Sequence, residues 1–178
     1  MEKARREWLK ANKERADSAA KVAHKLPKVL IVEDNTFNLV PIKITLDRHK
    51  IDYDIAKNGL MAVDRYTNKI KQRFVICFSP YRSGYEVILM DIEMPLMNGY
   101  EATEQIRAME KEGKIPRTFI CGLSAATDAS KICTLKLIEA IEKCKECGMD
   151  EYLAKPVSMD KMIELVMGEF KKKQNYSF

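Results

Sequence analysis

The stretch EVILMDIEMPLMNG, residues 86–99, decides the fold. Its apolar run from Val87 to Met90 has the length of a buried strand, and it ends abruptly at Asp91. A proline and a glycine follow, and a helical pattern begins at Tyr100. Short continuous apolar runs are typical of central parallel strands that are covered on both faces. The stretch therefore predicts a buried strand with a carboxylate at its C-terminal end.

The same alternation of strand and helix repeats along the chain. Strands are predicted at 29–32, 51–55, 87–90, 118–123 and 152–154, and helices at 36–48, 59–69, 100–111, 130–147 and 159–170. Polar residues alternate with Ile51, Tyr53 and Ile55, which predicts an edge strand. Pro41 should delay or kink the first helix. Five strands alternating with five helices predict an α/β fold, a doubly wound five-stranded parallel sheet with helices on both faces.

Composition narrows the function. The 178 residues are 46% hydrophobic and 32% charged, as in one globular domain. The net charge is +5, and residues 1–27 hold eight Lys or Arg against four Asp or Glu, so the rest is nearly balanced. This balance argues against nucleic-acid binding. No apolar run is long enough for a membrane span, and the charged N-terminus is unlike a signal peptide. Five cysteines, an odd number, favour a reducing compartment. We expect a cytoplasmic protein without direct membrane contact.

Polar side chains follow four of the predicted strands. Glu33 and Asp34 follow the first, Asp91 the third, Ser124 the fourth and Lys155 the fifth. The carboxyl ends of parallel strands meet at one edge, where ligands bind in such sheets. Three clustered carboxylates repel one another unless positive charge lies among them. Lys155 supplies one such charge, and Mg²⁺ suits the remaining oxygen ligands.

A carboxylate, a divalent cation, a lysine and a hydroxyl together indicate phosphoryl transfer. The carboxylate would be the nucleophile and become an acyl phosphate. The cation and the ammonium group would neutralise the phosphoryl oxygens. The pattern therefore predicts a phosphoryl-transfer site in which a carboxylate accepts the phosphoryl group.

Four segments also resemble a known family: VLIVEDN (29–35), ILMDIEMPLMNGYEA (88–102), LSA (123–125) and GMDEYLAKPV (148–157). They resemble the receiver domain of two-component response regulators, of the type attached to hybrid histidine kinases. The likeness covers roughly residues 28–170. It implies a flavodoxin-like sheet with strand order 2-1-3-4-5.

The resemblance also implies roles for individual residues. Asp91 would be the phosphoacceptor. The metal ligands would be Asp34, Asp91, the main-chain carbonyl of Glu93 and, through water, Glu33. Ser124 and Lys155 would bind the phosphoryl group, and Tyr152 would report the active state. The Lys155–Pro156 peptide bond would be cis.

The flanks and two long connections depart from the family pattern. Residues 1–27 are predicted to be a helical or disordered basic linker, 28–172 the receiver domain and 173–178 a tail. An insertion is expected at about 70–85, and an extended fourth-helix region at about 129–146.

The resemblance implies a phosphoaccepting signalling domain, with a histidine kinase or a histidine phosphotransfer protein as donor. A homodimer through the fourth helix, fifth strand and fifth helix is compatible with it. The chain would be a fragment of, or a partner to, a hybrid histidine kinase and not an independent enzyme, and a membrane-bound parent kinase is compatible with the resemblance. Two alternatives are a haloacid-dehalogenase-type phosphatase and a phosphorylation-independent binding module. The phosphatase would need a second aspartate two residues after the nucleophile, normally on the first strand. Here position 93 is Glu, and the candidate nucleophile is on the third strand.

Overall fold

The computed structural model describes residues 5–7, 10, 28–76, 84–113, 117–125 and 131–175. Its strands are β1 (Val29–Val32), β2 (Tyr53–Ala56), β3 (Val87–Asp91), β4 (Phe119–Ala125) and β5 (Glu151–Lys155). Its helices are α1 (Thr36–Arg48), α2 (Gly59–Ile76), α3 (Gly99–Glu112), α4 (Lys131–Glu146) and α5 (Met159–Asn175). Within these residues, no helix is both long enough and apolar enough to cross a membrane.

The five strands form one parallel sheet in the order β2-β1-β3-β4-β5. The predicted sheet and its order are confirmed, and β2 lies at an edge as its alternating polarity predicts. Every side chain of β1 and β3 is buried. Their alternate residues point to opposite faces, so each strand contributes to two hydrophobic clusters.

One helix layer covers each face of the sheet. Leu30, Val32, Ile88 and Met90 face the cluster that also contains side chains of α2, α3 and α4. The other cluster, under α1 and α5, contains Val29, Ile31, Val87 and Leu89 with residues of those two helices. Burying an aliphatic side chain of this size contributes about 1.5–3 kcal/mol. The central strands therefore anchor both layers.

Several predicted boundaries need correction. Helix α2 continues to Ile76, not Lys69, so the first half of the predicted insertion is helical. Ile70 packs against the core there, which explains the extension. Residues 77–83 and 126–130 lie outside the described part of the chain, as do most of 1–27 and residues 176–178. Strand β4 continues to Ala125, so Ser124 lies within the strand and not after it.

Helix α1 begins at Thr36 despite Pro41. Of the two effects expected of Pro41, a delay or a kink, the delayed start is therefore wrong. The Asn35 side chain caps the helix by accepting a hydrogen bond from the Phe37 N–H (2.9 Å), which stabilises its start. The proline removes a single bond, to the carbonyl of Phe37 in the first turn.

Candidate functional site

Asp91 lies at the carboxyl edge of the sheet, where β3 ends between β1 and β4. Its side chain is buried, and Asp91 is paired with Leu123 of β4. The chain then turns so closely that only glycine fits at position 99. A Cβ there would overlap the carbonyl oxygen of Asp91 and lie 2.9 Å from the Cα of Ile92. Gly99 N–H donates to the carbonyl of Ile92 (2.9 Å), which holds the start of α3 against this edge.

Lys155, the last residue of β5, bridges two of the predicted carboxylates. Its Nζ lies 2.8 Å from Asp91 Oδ2 and 2.7 Å from Glu33 Oε2. Burial raises the pKa of Asp91 to about 6, the hydrogen bond from Lys155 opposes this rise, and the charge of Glu33 adds to it. Burial lowers the pKa of Lys155, but the hydrogen bonds to Asp91 and Glu33 outweigh it, so the net shift is upward. The ammonium group is therefore held in its charged form.

The three carboxylates predicted to meet do so. One oxygen from each of Glu33, Asp34 and Asp91 lies within 4.8 Å of the others. Glu33 and Asp91 are buried, whereas Asp34 is exposed and open to solvent. Three carboxylates against one lysine leave an excess of negative charge, and hard oxygen ligands with solvent on one side fit a divalent cation such as Mg²⁺. Glu93 is exposed two residues after Asp91.

Glu33 is held by three protein donors. Its Oε2 accepts from Lys155, and its Oε1 accepts from the backbone N–H of Asn35 (3.1 Å) and from Asn38 Nδ2 (3.0 Å). Sequence reasoning identified Glu33 but missed Asn38. The signal available was an amide at the third position of α1, four residues after the acidic pair Glu33–Asp34.

Ser124 and Tyr152 lie on the neighbouring strands. Ser124 is buried, pairs with Ala154 of β5, and is one residue closer to the edge than the partner of Asp91. Tyr152 pairs with Gly122 and packs, partly buried, against the cluster under α2, α3 and α4. The Lys155–Pro156 peptide bond is cis.

A groove of about 570 Å³ opens beside Ser124, between the loop after β3 and helix α4. Glu93, Met94 and Pro95 line it from the loop side. Glu139, Ala140 and Lys143 line it from α4. Ser124 therefore lies between the carboxylate cluster and this groove.

Helix α1 exposes apolar side chains next to the site. Phe37, Val40 and Ile44 are 87%, 46% and 46% exposed, and their spacing of three and four residues places them on one face. We call these three residues the α1 stripe. The opposite face of the helix buries Leu39, Ile42 and Leu46 against the sheet. Sequence reasoning did not separate the two faces.

Comparison with known proteins gives consistent matches. The profile of the response regulator receiver domain matches residues 29–167. Over 141 residues the chain is 36% identical to hybrid signal transduction histidine kinase I of Dictyostelium discoideum, covering 78% of this chain and 7% of that kinase. The chain spans no more than 16% of the length of the first three curated kinases that it matches.

Two solved structures are also similar. The receiver domain of Saccharomyces cerevisiae Ssk1, in a complex with the histidine phosphotransfer protein Ypd1, matches at 28% identity and a TM-score of 0.56, covering 77% of this chain and 83% of that one. The receiver domain of the Arabidopsis thaliana histidine kinase CKI1, complexed with Mg²⁺ and BeF₃⁻, matches at 26% identity and a TM-score of 0.65, covering 80% and 89%.

Proposed function

We propose that this chain, which belongs to the response regulator receiver domain family, accepts a phosphoryl group from a phosphohistidine onto Asp91. The observation that carries the proposal is the buried Asp91 carboxylate, 2.8 Å from Lys155 Nζ, with two further carboxylates beside it. This arrangement combines a nucleophilic oxygen with the charges that phosphoryl transfer requires. Membership of this family also removes the grounds for the phosphatase alternative.

The reaction follows from the chemistry of the groups. An oxygen of Asp91 attacks the phosphorus, and the P–O bond forms as the P–N bond of the phosphohistidine breaks. The electron pair of the broken bond stays on the imidazole, which leaves with its histidine. Burial raises the pKa of Asp91, and the contact with Lys155 Nζ opposes this rise and favours the ionised, nucleophilic form. Lys155, which contacts Asp91 Oδ2, is placed to neutralise charge on the transferred group.

The metal is proposed to be Mg²⁺. The carboxylates of Asp34 and Asp91 and the main-chain carbonyl of Glu93 would hold it directly. When bound, Mg²⁺ neutralises phosphoryl oxygens and helps to align the two reacting groups. Glu33 would contact the metal through water. Its three protein donors support this, because they already occupy both of its carboxylate oxygens.

The switch is proposed to run from Ser124 to Tyr152. Ser124 lies one residue beyond the partner of Asp91, so its hydroxyl is placed to bond a phosphoryl oxygen on that side. Tyr152 faces Gly122, the one glycine of β4, two residues before Ser124. Binding of Ser124 to the phosphoryl group would favour one of two arrangements of β4 and Tyr152, which a partner then distinguishes.

The donor is proposed to be a histidine kinase or a histidine phosphotransfer protein that docks on helix α1. The α1 stripe begins two residues after Asn35, directly beside the carboxylate cluster. Exposed apolar side chains of this kind mark protein interaction surfaces. The structure of the similar Ssk1 receiver with Ypd1 supports this class of donor.

The experiment is phosphorylation by a small phosphodonor, followed by intact mass. We expect the wild type to gain one phosphoryl group in the presence of Mg²⁺ and none after chelation. Asp91→Asn should abolish the gain, because the amide is a poor nucleophile. Lys155→Ala should slow it. A phosphorylated Asp91→Asn protein would refute the assignment, and an unmodified wild type would favour the binding-module alternative.

A further inference from the structure

We infer that Asn38 is a positioning residue for phosphoryl transfer and acts on the site through Glu33. The inference rests on the proposed function, because it assigns Asn38 a role at the same carboxylate cluster. Asn38 is half-buried in the first turn of α1, and its Nδ2 donates to Glu33 Oε1 at 3.0 Å. It contacts a carboxylate of the site and not the reacting atom itself.

The contacts form a continuous chain from helix α1 to the phosphoacceptor. Asn38 holds one oxygen of Glu33, Lys155 holds the other at 2.7 Å, and Lys155 in turn contacts Asp91 at 2.8 Å. Because a carboxylate only accepts hydrogen bonds, the amide must face it with Nδ2, and its orientation is fixed. Removing this donor leaves Oε1 with the backbone N–H of Asn35 alone. Glu33 and Lys155 then lose part of the contact set that fixes their positions.

A comparison of two helix starts shows that Asn38 is not placed for helix stability. Helix α3 begins with Asn98 as its cap, and Glu101, three residues later, reaches back to the N–H of Asn98 in a capping box. Helix α1 also begins with an asparagine cap, but its third residue is Asn38, a poorer helix former than glutamate or alanine.

In α1 the N–H of the cap residue, Asn35, donates instead to Glu33 at the end of the site strand. The side chain of Asn38 is directed to the same oxygen. Glu33 therefore takes the place that Glu101 has in α3, by accepting the N–H of the cap residue, while the Asn35 side chain caps α1. The Asn35 N–H and the Asn38 side chain both stabilise a buried carboxylate of the site. Side chains that hold the groups around a metal site orient its ligands and affect metal affinity. Asn38 would act in this way through Glu33, which is itself proposed to reach the metal through water.

The test compares Asn38→Leu with a matched control, Asn68→Leu. Leucine is close to asparagine in size but has no donor. Asn68 makes the same kind of contact, its Nδ2 donating to Asp64 Oδ2 at 3.1 Å, but it is exposed on α2. Three quantities are measured for each variant. They are the Mg²⁺ affinity, from a titration of amide resonances, the rate of phosphorylation by a small phosphodonor, and the rise in Tm on adding Mg²⁺.

We expect Asn38→Leu to weaken Mg²⁺ binding and slow phosphorylation by roughly 10- to 100-fold, and to reduce the Mg²⁺-dependent rise in Tm. Asn68→Leu should change none of these. A merely structural role would lower Tm equally with and without Mg²⁺, and that result would overturn the inference. So would Mg²⁺ affinity within about twofold of the wild type.

Two further measurements keep this inference testable and separate it from the proposed function. Asn38→Ala raises helix propensity while also removing the donor, so it repeats the test if the leucine variant does not fold. If the wild type binds Mg²⁺ but takes no phosphoryl group, the proposed function fails and the Mg²⁺ titration still decides the role of Asn38. A wild type that binds no Mg²⁺ overturns both.

Discussion

Gly99→Ala is the substitution that tests most directly how the fold supports the site. Gly99 is the first residue of α3, and its backbone packs against the end of β3, where Asp91 lies. An added Cβ would overlap the carbonyl oxygen of Asp91 and lie 2.9 Å from the Cα of Ile92. Both obstacles are backbone atoms, one in the last residue of β3 and one in the buried residue that follows it. No side-chain rotation can therefore relieve the overlap, and the start of α3 must move.

The cost has two parts. Inserting a methyl group into a packed region costs roughly 1–3 kcal/mol when the surroundings must shift. Moving α3 also weakens the bond from Gly99 N–H to the Ile92 carbonyl (2.9 Å), worth about 1 kcal/mol net. We therefore expect Gly99→Ala to lower the free energy of unfolding by about 2–4 kcal/mol. Mg²⁺ should also stabilise this variant less, because the displaced segment begins at Asp91.

Gly168→Ala is the matched control. Gly168 lies inside α5, and a Cβ there would meet no atom within 4 Å. The same chemical change should therefore stabilise the protein by roughly 0.5–1 kcal/mol, since glycine is a poor helix former. Urea unfolding followed by far-UV circular dichroism, with and without Mg²⁺, measures both variants. A Gly99→Ala protein as stable as the wild type would show that the approach of α3 to β3 does not constrain the site.

Three further predictions concern other parts of the chain. Glu110→Ala should lower the free energy of unfolding by about 2–4 kcal/mol, because the buried Tyr66 hydroxyl and Thr118 N–H lose their acceptor and Arg107 loses one of its two carboxylate partners; a loss below about 1 kcal/mol in urea unfolding would contradict this. Phe37→Ser combined with Ile44→Ser should slow transfer from a phosphohistidine protein by about tenfold or more while leaving the rate with a small phosphodonor unchanged; equal slowing of both would argue against docking on α1. Ser124→Ala should still bind beryllofluoride but lose the accompanying change in the amide resonances of residues 130–165, and a change like that of the wild type would exclude Ser124 as the relay.

The order of elements was predictable because the sheet is covered on both faces. Buried strands such as Val29–Val32 are continuous apolar runs, which distinguishes them from the amphipathic helices between them. Helix ends were predicted less well, because they depend on packing and not on local pattern. Nothing in the sequence at Lys69 signals that α2 continues, and the extension to Ile76 depends on the contact of Ile70 with the core.

The sequence was sufficient to predict which residues meet at the site. It was not sufficient to predict the hydrogen bonds that hold them in place. Parallel strands bring their carboxyl ends together, so Glu33, Asp34 and Asp91 could be placed at one edge from their sequence positions. The hydrogen-bond donors of each carboxylate could not be predicted in this way. Which donor contacts which oxygen of Glu33 depends on the three-dimensional path from β1 into α1, and Asn38 reads in the sequence as an ordinary polar helix residue.

The α1 stripe is a second feature that the sequence alone did not predict. The helix TFNLVPIKITLDR carries apolar residues around most of its circumference, so periodicity alone cannot separate the face that packs from the face that does not. The sheet decides the matter by covering Leu39, Ile42 and Leu46 and leaving Phe37, Val40 and Ile44 exposed. Those three residues lie on the helix that also carries Asn38. A donor that covers the stripe would therefore bind the same helix that orients Glu33, so docking and the geometry of the site would depend on one element.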